Sequence, residues 1–439
     1  MSSFKTILLA VCIGVTVLGV LVFSGIINIG GKSADVAVEG NVTLWGTFSS
    51  RDMTPLVQDY NIRNQKIPIT YVEKDPATFT DELVEAIARG SAPDVVILPD
   101  NLINRFEDKV THISFATLPA RTFSDTFISG ASVFLAKDGA IGIPWAGDPL
   151  VMYYNKNLLE GAGVVKVPTT WEEFSDTVPA LTQKRDDMTL ISAGTALGTF
   201  ANIAHAKDII AMLFLQTGNL FISNGIPVVP HFGAVSITAN NANVGPEALR
   251  FYTAFSNPVN EVYSWNAGQP LDRDAFTRSS LAYYFGTASE LPAISSANPN
   301  LRFDVALPPQ TSATTPSTTG RIYGLVIPKG APNQLLSYTA ATAFANPAST
   351  TALVQKAGTT LALMPVRRDV LAQAPTSDPY LTLLYRATLL QRTWFDPNPV
   401  KTNEIFSALV REVTSGIATV EQALSKAATQ VTALSRSAI

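Results

Sequence analysis

An α/β protein in two lobes or domains is what the sequence predicts, on three observations. The chain has 439 residues, too many for one ordinary core. Between Asn41 and Leu98, strand-like and helix-like stretches alternate at the spacing of parallel βαβ units. Asp94 to Leu98 (DVVIL) is a short continuous apolar run, the pattern of a strand buried on both faces.

Asn41 to Phe48 reads as the first strand, Met53 to Tyr60 as the helix after it, and Ile67 to Val72 as the second strand. Thr78 to Arg89 follows as a helix with Phe79, Leu83, Val84, Ile87 and Ala88 on one face, Gly90 as its stop, and a Thr78/Asp81 capping box. Trp171 to Phe174 opens a helix that Thr170 caps while Glu173 reaches back. Asp208 to Thr217, ended by Gly218, and Glu247 to Phe255 read as further helices. Phe276 to Phe285 runs from helix into strand, and Phe303 to Leu307 is a strand closed by two prolines. Gln310 to Gly320 is a polar, Thr-rich loop, followed by a strand at Arg321 to Pro328 and a helix at Gln334 to Phe344. Two helices broken at Ser415 and Gly416 close the chain.

Ile7 to Ile29 is apolar and uncharged, about the length of a bilayer-spanning helix. Lys5 precedes it, which orients the N-terminus inside and the bulk of the chain outside. The run is longer than the apolar core of a cleavable signal and lacks a good cleavage site, so an uncleaved anchor is expected, followed by a linker to about residue 40. Leu9 to Cys12 loosely resembles a lipobox, but Val11 is too bulky before the cysteine.

Composition excludes several classes. A net charge of -4 with no basic stripe argues against a nucleic-acid surface. Three His and one Cys, Cys12, leave no material for a Cys/His metal cluster or a disulfide framework. His112, His205 and His231 are scattered without metal spacing, and no phosphate loop or nucleophile elbow occurs. Carboxylates could still meet in space as a glycosidase pair, yet nothing local marks a nucleophile or base. What stands out is aromatic and polar residues at strand ends, beyond which ligands bind in parallel sheets. Trp45, Trp145 and Trp394 each adjoin polar or turn residues, and such flat rings suit the apolar faces of sugars. Asp, Glu, Asn and Arg suit their hydroxyls. Trp171 reads as a packing residue at a helix start.

Seven segments in order carry a resemblance. They are LVEAIARGSAPDVVILPD (83–100), IGIPWAGDPLVMYYNKNLLEGAG (141–163), VPTTWEEF (167–174), AFTRSSLAYYFG (275–286), FDVALPP (303–309), RIYGLVIPKGAPN (321–333) and SGIATVEQALSKAATQV (415–431). Together the chain from about Val42 onward resembles the extracellular solute-binding proteins of ATP-driven importers, in the carbohydrate-binding family that includes maltose-binding protein. One motif departs from that family: Ser279 and Tyr283 stand where a Gly and a Met are usual.

The resemblance implies a two-lobed periplasmic-binding-protein type II fold, each lobe a mainly parallel sheet flanked by helices, with a ligand cleft between them that closes by hinge bending. It implies a first lobe of residues 41–146 plus 310–350 and a second of 147–309 plus 351–439. Ile143 to Trp145 and Ala306 to Pro308 would be crossing points. By position the implied ligand residues are Trp45, Ser49, Arg51, Asp52, Asp100, Trp145, Asp148, Asn202, Phe285, Glu290, Tyr323 and Trp394. The expected protein is a monomeric, membrane-anchored, extracytoplasmic receptor for a sugar or oligosaccharide that serves an ABC importer permease, with no catalysis, metal or cofactor. The rival readings are a glycan-acting hydrolase and a transporter-independent sensor or adhesion module.

Overall fold

The computed structural model describes residues 38–217, 222–223, 226–227, 244–312, 314–356, 361–373, 377–394 and 396–437. The expected anchor, Cys12, His231 and Gly218 lie outside these residues. Among the described residues no helix is long and apolar enough to cross a membrane.

The first strands form as their pattern dictates. β1 (Val42–Gly46) pairs in parallel with both β2 (Ile69–Glu73) and β3 (Val95–Pro99), so the βαβ reading holds. Val95 to Leu98 are all buried, as a strand covered on both faces requires. The helix between β1 and β2 runs Ser50–Arg63, three residues earlier than its apolar pattern, because the Ser49 hydroxyl accepts the Asp52 N–H at 3.3 Å. The Thr78/Asp81 capping box does not form. Thr78 already has helical angles, φ -108° and ψ -13°, and its hydroxyl donates to Glu82 at 2.5 Å instead. The later cap does form: Thr170 accepts the Glu173 N–H at 3.2 Å, and the Glu173 carboxylate accepts the Thr169 N–H at 2.8 Å.

β4 (Ile143–Asn155) organises the molecule. It has 13 residues, all buried except half-exposed Tyr154. Among the strands that join it directly are β6 (Leu281–Thr287), which lies beside β5 (Leu190–Thr195); β7 (Phe303–Ala306); and β8 (Gly320–Val326). From Ile143 to Pro149, β4 pairs with β8, which pairs with β3. From Leu150 to Asn155 it pairs with β6 and, over its last four residues, with β7. One strand therefore serves two half-sheets, with the changeover at Pro149/Leu150.

Each half is mixed rather than mainly parallel. β8, β6, β7 and the short β9 (Met364–Pro365) all run antiparallel to their partners on β4. A single strand passing from one half into the other meets neighbours that return the opposite way, and this reverses the direction of pairing in both halves. The segment after Thr350 also departs from expectation. β9 pairs with Gly147 and Ala146, and Arg368 donates to the Phe127 carbonyl at 2.7 Å, so 364–368 accompanies the first half. The C-terminal helices Pro399–Thr414 and Val420–Ser437 pack beside the helix Val244–Ala254, which Arg250 ties to Glu421.

Close packing at the changeover demands glycine. Gly320 has φ +139°, and a Cβ there would lie 2.2 Å from the Asp148 carbonyl oxygen. Gly320→Ala is expected to cost about 1–3 kcal/mol, read as a lower urea midpoint of the full chain. A midpoint equal to that of wild type would contradict the tight approach of β8 to β4.

Candidate functional site

Polar side chains from both halves meet where β4 changes partners. Asp100 follows β3 and is 4% exposed. Asp148 lies on β4, and Arg321 and Tyr323 lie on β8, two residues apart and hence on one face. From the second half come His205 and Asp208, at the start of the helix Ala206–Gln216, and Glu290, just past β6. The Trp171 indole N–H donates to Gln216 at 2.7 Å, tying that helix to the one at Trp171–Leu181.

The groups form a continuous network. An Arg321 nitrogen lies 3.2 Å from an Asp208 oxygen, and another lies 3.9 Å from Asp100. A His205 nitrogen stands 3.8 Å from Asp208, and its other nitrogen bonds Glu290. The second Glu290 oxygen accepts the Tyr284 hydroxyl at 2.5 Å. Asp148 accepts the Ser289 N–H at 2.8 Å and its hydroxyl at 2.6 Å. The Phe48 ring meets the Tyr323 ring at 4.8 Å, adding an aromatic wall from the end of β1.

At the centre of this network each cation has a carboxylate partner. Burial alone would raise the Asp208 carboxyl, but Arg321 and His205 outweigh it and hold it well below the usual range. Burial likewise opposes ionisation of Glu290, and the His205 and Tyr284 hydrogen bonds overcome it, so its carboxyl is lowered. His205 is held protonated: burial disfavours the cation, yet Asp208 and Glu290 push its pKa up to about 10. Two carboxylates thus face two cations. Asp148 stands apart, raised to about 6 by burial despite the Ser289 hydrogen bonds.

Of the twelve residues named from the sequence, four meet here: Asp100, Asp148, Glu290 and Tyr323. Trp45 is half-buried near the end of β1 in the first half, with the Lys74 ammonium 3.7 Å above its ring centroid. Ser49 is committed as a helix cap; Asp52 is half-buried in the first turn it caps, and Arg51 is exposed. Trp145 is 1% exposed, with its ring stacked on Phe344 at 5.6 Å. Phe285 is buried in an aromatic core, 5.7 Å from Trp171 and 5.8 Å from Phe174, because β6 sends Tyr284 to one face and Phe285 to the other. Asn202 staples a loop, its amide donating to the carbonyls of Asn266 at 2.9 Å and Gln269 at 3.0 Å. Trp394 packs against Phe406 at 5.8 Å with Lys207 over its ring at 5.7 Å.

Arg321, Asp208, His205, Ser289 and Tyr284 were missed. The alternation of a strand could have found Arg321, two residues before Tyr323. Asp208 was legible as a charge in the first turn of an otherwise apolar helix. Nothing local singled out His205.

A polar, largely buried cluster at the junction of two half-sheets, beyond the carboxyl ends of β1 and β3, is placed where α/β binding proteins hold their ligands. The bacterial extracellular solute-binding protein family matches residues 55–382, and the chain belongs to that family. No curated protein is matched by sequence. Among solved structures the chain is similar to the cyclic α-maltosyl-1,6-maltose binding protein of Arthrobacter globiformis, with 18% identity over 91% of this chain and 100% of that one and a TM-score of 0.72. It is similar to an ABC transporter solute-binding protein of Thermotoga lettingae bound with α-D-tagatose, at 20% identity over 90% and 100% and a TM-score of 0.68. It is also similar to UgpB of Mycobacterium tuberculosis in complex with glycerophosphocholine, at 17% identity over 91% and 100% and a TM-score of 0.67. The first two are named as binding proteins, and at 17–20% identity the likeness of all three shows the fold alone.

Proposed function

We propose that the chain is an extracytoplasmic receptor that binds a neutral sugar or oligosaccharide at the junction of its half-sheets and delivers it to the permease of an ABC importer. The observation that carries this reading is the convergence of Asp100, Asp148, Arg321 and Tyr323 with His205, Asp208 and Glu290. Its two cations, Arg321 and His205, already pair with Asp208 and Glu290, which leaves neither of them for an anionic solute. A polyhydroxyl solute exchanges hydrogen bonds with such groups without breaking those pairs. Three similar structures are named for tagatose, maltotetraose and a cyclic maltosyl-maltose, in line with this class.

In this reading Asp100, Asp148, Arg321, Glu290 and Tyr323 contact the ligand, Phe48 and Trp45 offer ring faces, and Trp145 supports the wall from behind. The lobes are the two halves that meet at Pro149/Leu150, and bending there closes them over the solute. The apolar run 7–29 anchors the receptor beside its permease.

A thermal-shift screen of the full chain over neutral saccharides, glycerophosphodiesters, peptides and polyamines tests the ligand class, because a ligand of the native state stabilises by RT ln(1 + [L]/Kd). Stabilisation by saccharides and by none of the charged classes is expected. Stabilisation by peptides or polyamines alone would refute the reading. Saccharide turnover that is lost in Asp148→Asn would favour the hydrolase.

A further inference from the structure

The network holds more acid than base where Asp100 lies. One guanidinium stands between two buried carboxylates, and it is committed to Asp208, at 3.2 and 3.5 Å, rather than to Asp100, at 3.9 Å. The Asp100 side chain accepts the Asn101 N–H at 3.0 Å. Other charged or titratable groups facing it are Tyr323 on β8, which also faces Asp148 on β4, and Asp208 on the helix after His205. Asp396 also acts electrostatically on Arg321 and draws on the same cation. An ionised Asp100 would therefore be a buried anion 3.9 Å from Arg321, the one cation that faces it among the described residues, beside a second anion, with the Asn101 and Ile322 N–H groups as its remaining support. Burial is the main reason its carboxyl is pushed up to about 7; Arg321 opposes the rise and Asp208 adds to it.

We propose that Asp100 meets the bound saccharide as a neutral carboxylic acid and donates its proton in a hydrogen bond to a ligand oxygen, so that affinity falls as rising pH removes that proton. The proposal rests on the saccharide reading above. The sign follows from linkage: the protonated form binds, so tight binding belongs to the acid side and is lost as pH rises through the Asp100 titration.

Two measurements on the full chain test it. The first needs no ligand: an infrared titration of wild type against Asp100→Asn between about pH 5.5 and 8.5. A neutral carboxyl absorption, missing in Asp100→Asn, is expected on the acid side and fades through about pH 7. The second is a calorimetric pH profile with maltotetraose and D-tagatose as probes. Kd is expected to rise by up to about tenfold per pH unit above the midpoint. Asp100→Asn, which keeps a donor of the same shape, binds with no such slope, and Asp100→Ala binds weakly throughout. An Asp100 already ionised at the acid end, a flat or rising affinity in wild type, or an unchanged slope in Asp100→Asn each overturns the proposal. If the acid absorption titrates as expected but neither saccharide binds, the saccharide reading fails, and the donor role with it.

Discussion

Replacing Trp145 by Ala is expected to lower the stability of the full chain by about 3–5 kcal/mol, the usual cost of emptying a large aromatic site in a core. The ring is 1% exposed and stacks on Phe344 at 5.6 Å and 18° between planes, and Phe48 lies 6.2 Å away. Its place follows from a β-bulge. The register of β4 against β8 skips Trp145, because Tyr323 pairs with Ala146 and Gly324 with Pro144. The extra residue turns its side chain into the helix layer at Gln334–Phe344 rather than along the pleat. Urea unfolding followed by circular dichroism reads the effect. A melting temperature like that of wild type, with ligand affinity lost, would mean that the ring faces solute and not the core.

The second large effect is expected at Asp396. Its carboxylate is 3% exposed and accepts the Lys207 ammonium at 2.8 Å and the Thr402 hydroxyl at 2.8 Å. Lys207 also donates to the Pro399 carbonyl at 3.2 Å and the Thr402 hydroxyl at 3.2 Å. The pair joins the helix at Ala206–Gln216 to the start of the helix at Pro399–Thr414, 189 residues apart in sequence. Asp396→Ala leaves a buried ammonium without its ion-pair partner, and about 3–5 kcal/mol of destabilisation is expected. Lys207→Met with Asp396→Leu removes both charges and is expected to recover most of that loss, since a buried pair replaced by apolar groups is often nearly neutral. A double variant whose loss is the sum of the single losses would show that no ion-pair coupling exists there.

Much of the fold was legible because it is local. The helix read at Gln334 to Phe344 is found with those bounds, and Asn155 caps the next helix by accepting the Leu158 N–H at 3.1 Å. The polar tip of Tyr153, awkward in an apolar run, is satisfied by the Thr287 carbonyl at 2.7 Å. What was not legible depends on distant pairing. No local pattern says that β4 is one strand shared by two half-sheets, or that Met364 and Pro365 join it. The same holds for the site. Asp100 could be found from a strand end, and Asp148, Glu290 and Tyr323 were implied by the family resemblance, but Arg321 and Asp208 are 113 residues apart and are joined only by the fold. Phe285 was misjudged for a related reason: a strand alternates faces, and the sequence does not say which face meets the solute.

The central claim is that the junction network is the solute site, and Arg321 tests it most directly. Wild type and Arg321→Lys, which keeps the charge but loses the forked geometry, are titrated calorimetrically with the saccharide that gives the largest thermal shift. The claim predicts a rise in Kd of at least about tenfold in Arg321→Lys, the worth of one hydrogen bond to a charged group, at a melting temperature near that of wild type. An unchanged Kd in that folded variant would contradict it.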